Sequence, residues 1–134
     1  MTAVNSSNPK AFSYSPSTIE RAARSLICSP FNPALLEAMR QQSVSVSAIA
    51  QDNGIKHGYT KQPLSELACD QALDWLIQVG VLRREVDGQG ITDSFRLTPL
   101  GQKLAEQYQN KNWPQPSWSD RIQNALTRWF RLPF

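Results

Sequence analysis

Histidine is nearly absent from this 134-residue chain and cysteine is scarce: there are one His and two Cys. Cys28 and Cys69 stand far apart with no CxxC partner, and His57 has neither a cysteine nor a carboxylate at ligand spacing, so no metal site is expected. The two thiols read as small apolar core residues in a reducing compartment, and His57 as an exposed loop residue. Long apolar runs are missing too. The longest candidate, Trp75 to Leu82, is interrupted by Gln78 and falls well short of the roughly 18 residues that span a bilayer. Residues 1–17 are polar and lack the apolar segment of a secretory signal, so export is not expected. There is no Gly-rich phosphate loop followed by Lys and Ser or Thr, no His-Glu-x-x-His and no Gly-x-Ser-x-Gly. No catalytic residues, cofactor or small-molecule substrate are therefore expected, and the chain does not read as an enzyme. Glu66, Asp70 and Asp74 share a helix face at i, i+4 spacing that can in principle hold Mg²⁺ or Ca²⁺, but read as a solvated acidic face.

An apolar fraction of 40% and a charged fraction of 19% are globular values, and the length suits one domain of ordinary size. The net charge of +3 is unevenly spread. Residues 43–80 are acidic, with Lys56 and Lys61 against Asp52, Glu66, Asp70 and Asp74; residues 113–134 are basic, with Arg121, Arg128 and Arg131 against Asp120.

The periodicity divides the chain into a flexible N-terminal arm (1–16), a domain (17–112), a Pro/Trp linker (113–118) and a basic amphipathic helix (119–132). Ser17 is positioned to cap a helix carrying Ile19, Ala22, Ala23 and Leu26 on one face. Asn32 and Pro33 open a second, with Leu35, Leu36 and Met39 inward. The Ser/Val alternation from Ser43 to Ser47 suits a short strand, with Ser45 or Ser47 capping a short helix that stops at Asn53-Gly54. After a loop at Ile55–Gln62, Pro63 opens a longer helix with Leu67, Cys69, Ala72, Leu73, Leu76 and Ile77 inward and Gly80 at its end. Val81–Val86 and Ile91–Leu97 flank Asp87-Gly88-Gln89-Gly90 as a hairpin, and Thr98-Pro99 opens a last domain helix with Leu100, Leu104, Ala105 and Tyr108.

This order of elements, and the run from Ala72-Leu73-Asp74-Trp75-Leu76 through Gly80-Val81-Leu82 to Phe95-Arg96-Leu97-Thr98-Pro99-Leu100-Gly101, resembles bacterial winged-helix domains, whose second wing strand ends in a comparable Leu-Thr-x-x-Gly. The resemblance implies a winged helix-turn-helix: mainly α with a small β-hairpin, additional N-terminal helices and a C-terminal amphipathic helix. The segments Cys28-Ser29-Pro30-Phe31-Asn32, Gly58-Tyr59-Thr60-Lys61 and Trp75 to Gly101 also resemble a family of small cyanobacterial proteins of uncharacterised function. That likeness implies a phototroph's cytoplasm and no mechanism.

Bacterial winged helices usually present the longer helix to the DNA major groove, where affinity rests on Lys and Arg meeting phosphates. Here that helix shows Ser65, Glu66, Asp70, Gln71, Asp74 and Gln78 outward, and no Lys or Arg lies between Lys61 and Arg83. Each carboxylate near a phosphate costs on the order of 1 kcal/mol, which Lys61, Arg83, Arg84 and Arg96 offset only in part. Two readings follow. In the first, a non-catalytic adaptor meets a protein partner through Tyr59, Lys61, Glu66, Asp70 and Asp74. In the alternative, a transcriptional regulator contacts nucleic acid through Lys61, Arg83, Arg84 and Arg96.

In the tail, Trp118, Ile122, Leu126, Trp129 and Phe130 form an apolar surface, with Arg121, Arg128 and Arg131 on the remainder and Pro133 as a stop. At about 12 residues such a helix is marginal alone and folds against something. Three occupants stay open: its own domain, a peripheral membrane surface, or a partner's groove.

Overall fold

The computed structural model describes residues 14–108 and 116–130. The expected N-terminal arm up to residue 13, the first part of the Pro/Trp linker, the Phe130 side chain, Arg131 and the Pro133 stop lie outside the described residues.

Helix α1 (Pro16–Ile27) is capped by Ser15, whose hydroxyl accepts from the Thr18 amide; Ser17, the expected cap, lies inside the helix. Pro16 decides this, since its fixed φ and missing N–H suit the first helical position and move the cap one residue ahead of it. Helix α2 (Pro33–Gln41) starts where Asn32-Pro33 places it and buries Leu35, Leu36 and Met39. Asn32 does not cap it through its side chain but donates from Nδ2 to the Gly58 carbonyl at 3.2 Å.

Strand β1 (Val44–Ser45) leads into α3 (Val46–Ile49), capped by Ser45. The expected stop at Asn53-Gly54 is not there. The chain breaks instead at Gln51, whose φ is 57°, and α4 (Gln51–Lys56) runs straight through Asn53 and Gly54. Gly54 serves close approach: a Cβ there would lie 2.0 Å from the Ile49 carbonyl oxygen and 2.7 Å from Thr60 Oγ1.

Helix α5 (Glu66–Gln78) is capped by Ser65 rather than opened by Pro63, and buries Cys69, Ala72, Leu73, Trp75 and Leu76. Leu67, expected inward, is 67% exposed. It precedes Cys69 by two residues, about 200° around the helix, and so falls off the buried stripe.

Strands β2 (Leu82–Asp87) and β3 (Gly90–Leu97) pair antiparallel, with Leu82 opposite Leu97 and Val86 opposite Ile91, and the register shifts between Arg84 and Val86. Strand β1 pairs the other edge of β3, with Val44 opposite Phe95, giving the order β1-β3-β2. Helix α6 (Pro99–Gln107) is capped by Thr98. The Thr98 hydroxyl also reaches the carbonyls of Gly80 and Val81, and the Thr98 amide donates to Val81 O at 3.0 Å. A Cβ on Gly101 would lie 2.2 Å from that same Val81 oxygen. The Leu-Thr-x-x-Gly segment is thus a clamp holding the start of α6 against the end of α5.

With α7 (Trp118–Phe130), the described residues form seven helices and one three-stranded antiparallel sheet. One core joins Leu26, Phe31, Leu35, Leu36, Met39, Leu73, Leu76, Phe95, Leu100 and Leu104.

Candidate functional site

The segment holding Tyr59 and Lys61 is zipped to the link between α1 and α2. Phe31 and Thr60 form an antiparallel bridge, the Asn32 amide donates to Tyr59 O at 2.8 Å, and the Lys61 amide donates to Pro30 O at 3.0 Å. The Lys61 ammonium donates to Ser29 O at 3.0 Å, and burial pulls its pKa below the ordinary lysine value. His57 stacks on Tyr59 with ring centroids 5.1 Å apart, leaving the phenol half-buried. The two motifs at Cys28–Asn32 and Gly58–Lys61 are therefore two sides of one junction.

Along α5, Glu66 is exposed while Asp70 and Asp74 are half-buried. Asp74 accepts from Gln78 Nε2 at 2.8 Å, and Asp70 accepts from Arg84 Nη2 at 3.2 Å. Among the described residues no three His, Cys, Asp or Glu side chains converge as a metal-binding group.

The hairpin arginines all face carboxylates. Arg83 and Arg96 are cross-strand partners, an opposition of like charges, and Glu85 answers both: Oε2 lies 3.5 Å from Arg83 and Oε1 lies 3.2 Å from Arg96. Arg84 emerges on the other face, bonds Asp70, and lies 4.7 Å over the centroid of Phe95. Sequence reasoning missed Glu85 as the common partner. Its signal was the Arg-x-Glu spacing, which puts 83 and 85 on one strand face. At the tip of the hairpin, Val86 and Ile91 form an exposed apolar cross-strand pair, also missed.

Helix α7 begins one residue earlier than expected. Ser117 Oγ accepts from the Asp120 amide at 3.0 Å and Asp120 Oδ2 accepts from the Ser117 amide at 3.0 Å, a reciprocal capping box. Those hydrogen bonds from Ser117 hold the Asp120 carboxyl below its ordinary pKa. The helix rests on α1 and α5, and Trp75 Nε1 donates to Asn124 Oδ1 at 3.4 Å. Pro116 and Arg121 wall a cleft of about 410 Å³ with Cys28, Ser29 and Lys61, while Arg128 faces Asp74, Trp75 and Gln78 across a smaller one of about 230 Å³. Burial, then the nearby Asp120 carboxylate, raises the pKa of the Cys28 thiol on the cleft wall.

The surface α7 turns to the domain is its polar one. At 100° per residue Asn124 stands opposite the stripe of Trp118, Ile122, Ala125, Leu126 and Trp129. Every residue of that stripe is exposed, Trp118 at 81% and Trp129 at 82%. The helix does lie on its own domain, but the described residues of its apolar stripe stay exposed. Among the described residues no helix is long and apolar enough to cross a membrane.

No curated protein and no solved structure matches the chain. A family model described as Npun_F0494-like matches residues 12–128, taking in the three strands, helices α1 to α6 and most of α7. Because that match covers the Cys28–Asn32 and Gly58–Lys61 junction, the Thr98–Gly101 clamp and the hairpin together, the chain belongs to the Npun_F0494-like family.

Proposed function

We propose that this chain is a non-catalytic winged-helix adaptor that works in the cytoplasm through protein contacts. The succession α2, β1, α3–α4, α5, β2, β3 with sheet order β1-β3-β2 supports the winged-helix reading, α5 standing where a groove-reading helix stands and the β2–β3 hairpin serving as the wing. The observation that carries the adaptor reading is the internal pairing of the wing: Arg83 and Arg96 share Glu85, and Arg84 bonds Asp70. A phosphate backbone would have to displace those carboxylates and then meet Glu66 and Asp74 on α5. A basic protein surface meets the same helix favourably, with the Tyr59 phenol contributing from the neighbouring junction, where the Lys61 ammonium is turned to Ser29 O.

The experiment is a capture comparison in an extract of the native organism. Wild-type chain retains a partner that the Glu66→Lys/Asp74→Lys double variant loses; equal capture by both contradicts the adaptor reading. Fold layout alone favours the second reading, a DNA-binding regulator using Lys61, Arg83, Arg84 and Arg96. A labelled duplex discriminates the two, since phosphate contacts give an affinity that falls steeply with salt.

A further inference from the structure

We propose that α7 is an interfacial helix that seats the folded protein on an anionic lipid surface while remaining docked on its own domain. The inference stands apart from the adaptor reading, because it rests on a surface that neither α5 nor the hairpin shares.

Three observations carry it. First, α7 turns Asn124 to the domain, with Asp120 and Thr127 half-buried on the same side, so the opposite stripe of Trp118, Ile122, Ala125, Leu126 and Trp129 is available without any unfolding. Second, Trp118 and Trp129 close the two ends of the stripe, about 16 Å apart along the axis, and both are almost wholly exposed. Indole rings settle at the headgroup boundary of a bilayer, where an apolar body and a polar N–H are both satisfied. Third, the charges flanking the stripe in the described part of α7 are Arg121 and Arg128, and the one carboxylate, Asp120, is engaged in the Ser117 cap.

That charge pattern selects the occupant. Arg121 and Arg128 fall on one flank of the stripe, so if two copies paired antiparallel through it, Arg121 of each would approach Arg128 of the other, with no uncommitted carboxylate among the described residues of α7 to neutralise them. Lipid headgroups of negative charge supply the neutralisation along a flat surface, which suits a straight stripe about 16 Å long. Arg121 also stands beside Lys61 in the cleft under the N-terminus of α7, which extends the positive potential beyond the helix.

The test is flotation of the full chain with vesicles of phosphatidylcholine alone and of phosphatidylcholine with one quarter phosphatidylglycerol. The chain floats with the anionic vesicles and stays behind with the neutral ones. Trp118→Ala/Trp129→Ala, shown to be folded by circular dichroism, binds at least about tenfold more weakly, and Arg121→Gln/Arg128→Gln loses the preference for anionic lipid. Absence of flotation with anionic vesicles, or equal flotation by the double tryptophan variant, overturns the proposal. So does a concentration-dependent dimer that the tryptophan variant abolishes while vesicles bind nothing, since the stripe would then belong to a second copy.

Discussion

Arg84 and Asp70 join the hairpin to α5: the guanidinium Nη2 lies 3.2 Å from the Asp70 carboxylate, and its carbon stands 4.7 Å above the centre of the Phe95 ring. The arginine that sequence reasoning offered to a phosphate and the aspartate it offered to a basic partner hold each other. The two partners are not equivalent, because Arg84 makes both contacts and Asp70 one.

Asp70→Asn should accordingly cost less than about 1 kcal/mol of unfolding free energy, as a partly exposed ion pair does. Arg84→Ala should cost about 1–2 kcal/mol, since it also removes the ring contact and the stem that covers Phe95. Urea unfolding followed by circular dichroism measures both, and equal costs would show that the ring contact contributes nothing.

Gly101 gives a sharper stability test. Glycine inside a helix ordinarily costs about 1 kcal/mol relative to alanine, so replacement would stabilise. Here an added Cβ would sit 2.2 Å from Val81 O, with Leu97 Cδ2 at 3.1 Å, and backbone cannot step aside cheaply. Gly101→Ala should lose about 2–4 kcal/mol. Gly88→Ala, where nothing lies within 4 Å, is the control and should be near neutral. Thermal unfolding of the two variants gives the comparison.

Cys69 sets an alkaline limit. Burial first, then the carboxylates of Asp70 and Glu66, push its thiol from 9.0 up to about 11. The folded state keeps the proton that the unfolded chain releases, so this stability is fully present below about pH 9 and lost as pH rises toward about 11. Cys69→Ala should flatten the fall in unfolding free energy across that window. In the native chain at neutral pH, a thiol reagent should modify half-buried Cys28 slowly and Cys69 only on unfolding.

The caps and stripes legible in the sequence were those governed by neighbours along the chain. Asn32-Pro33, Ser45 and Thr98-Pro99 mark helix starts because fixed proline geometry and short side-chain caps act within three residues. Gly54 was misread because a glycine that ends a helix and one that admits a carbonyl look alike locally; Ile49 O and Thr60 decide between them through tertiary contact. The tail was legible as an amphipathic helix, but not its orientation. Its polar face is held by Asn124 on Trp75, a pairing 49 residues apart that periodicity cannot show. The sharing of Glu85 by two arginines likewise needed the β2–β3 register.

We propose that the hairpin's cations are neutralised from within and that the domain therefore does not grip DNA. This neutralisation is tested most directly by fluorescence anisotropy of a labelled random duplex at low salt, comparing wild type with Asp70→Asn/Glu85→Gln, which frees Arg83, Arg84 and Arg96. The expected result is negligible affinity for wild type and a gain of at least about tenfold in the variant, steeply salt-dependent. Tight, salt-sensitive binding by wild type that is lost in Arg83→Ala/Arg84→Ala would contradict the account.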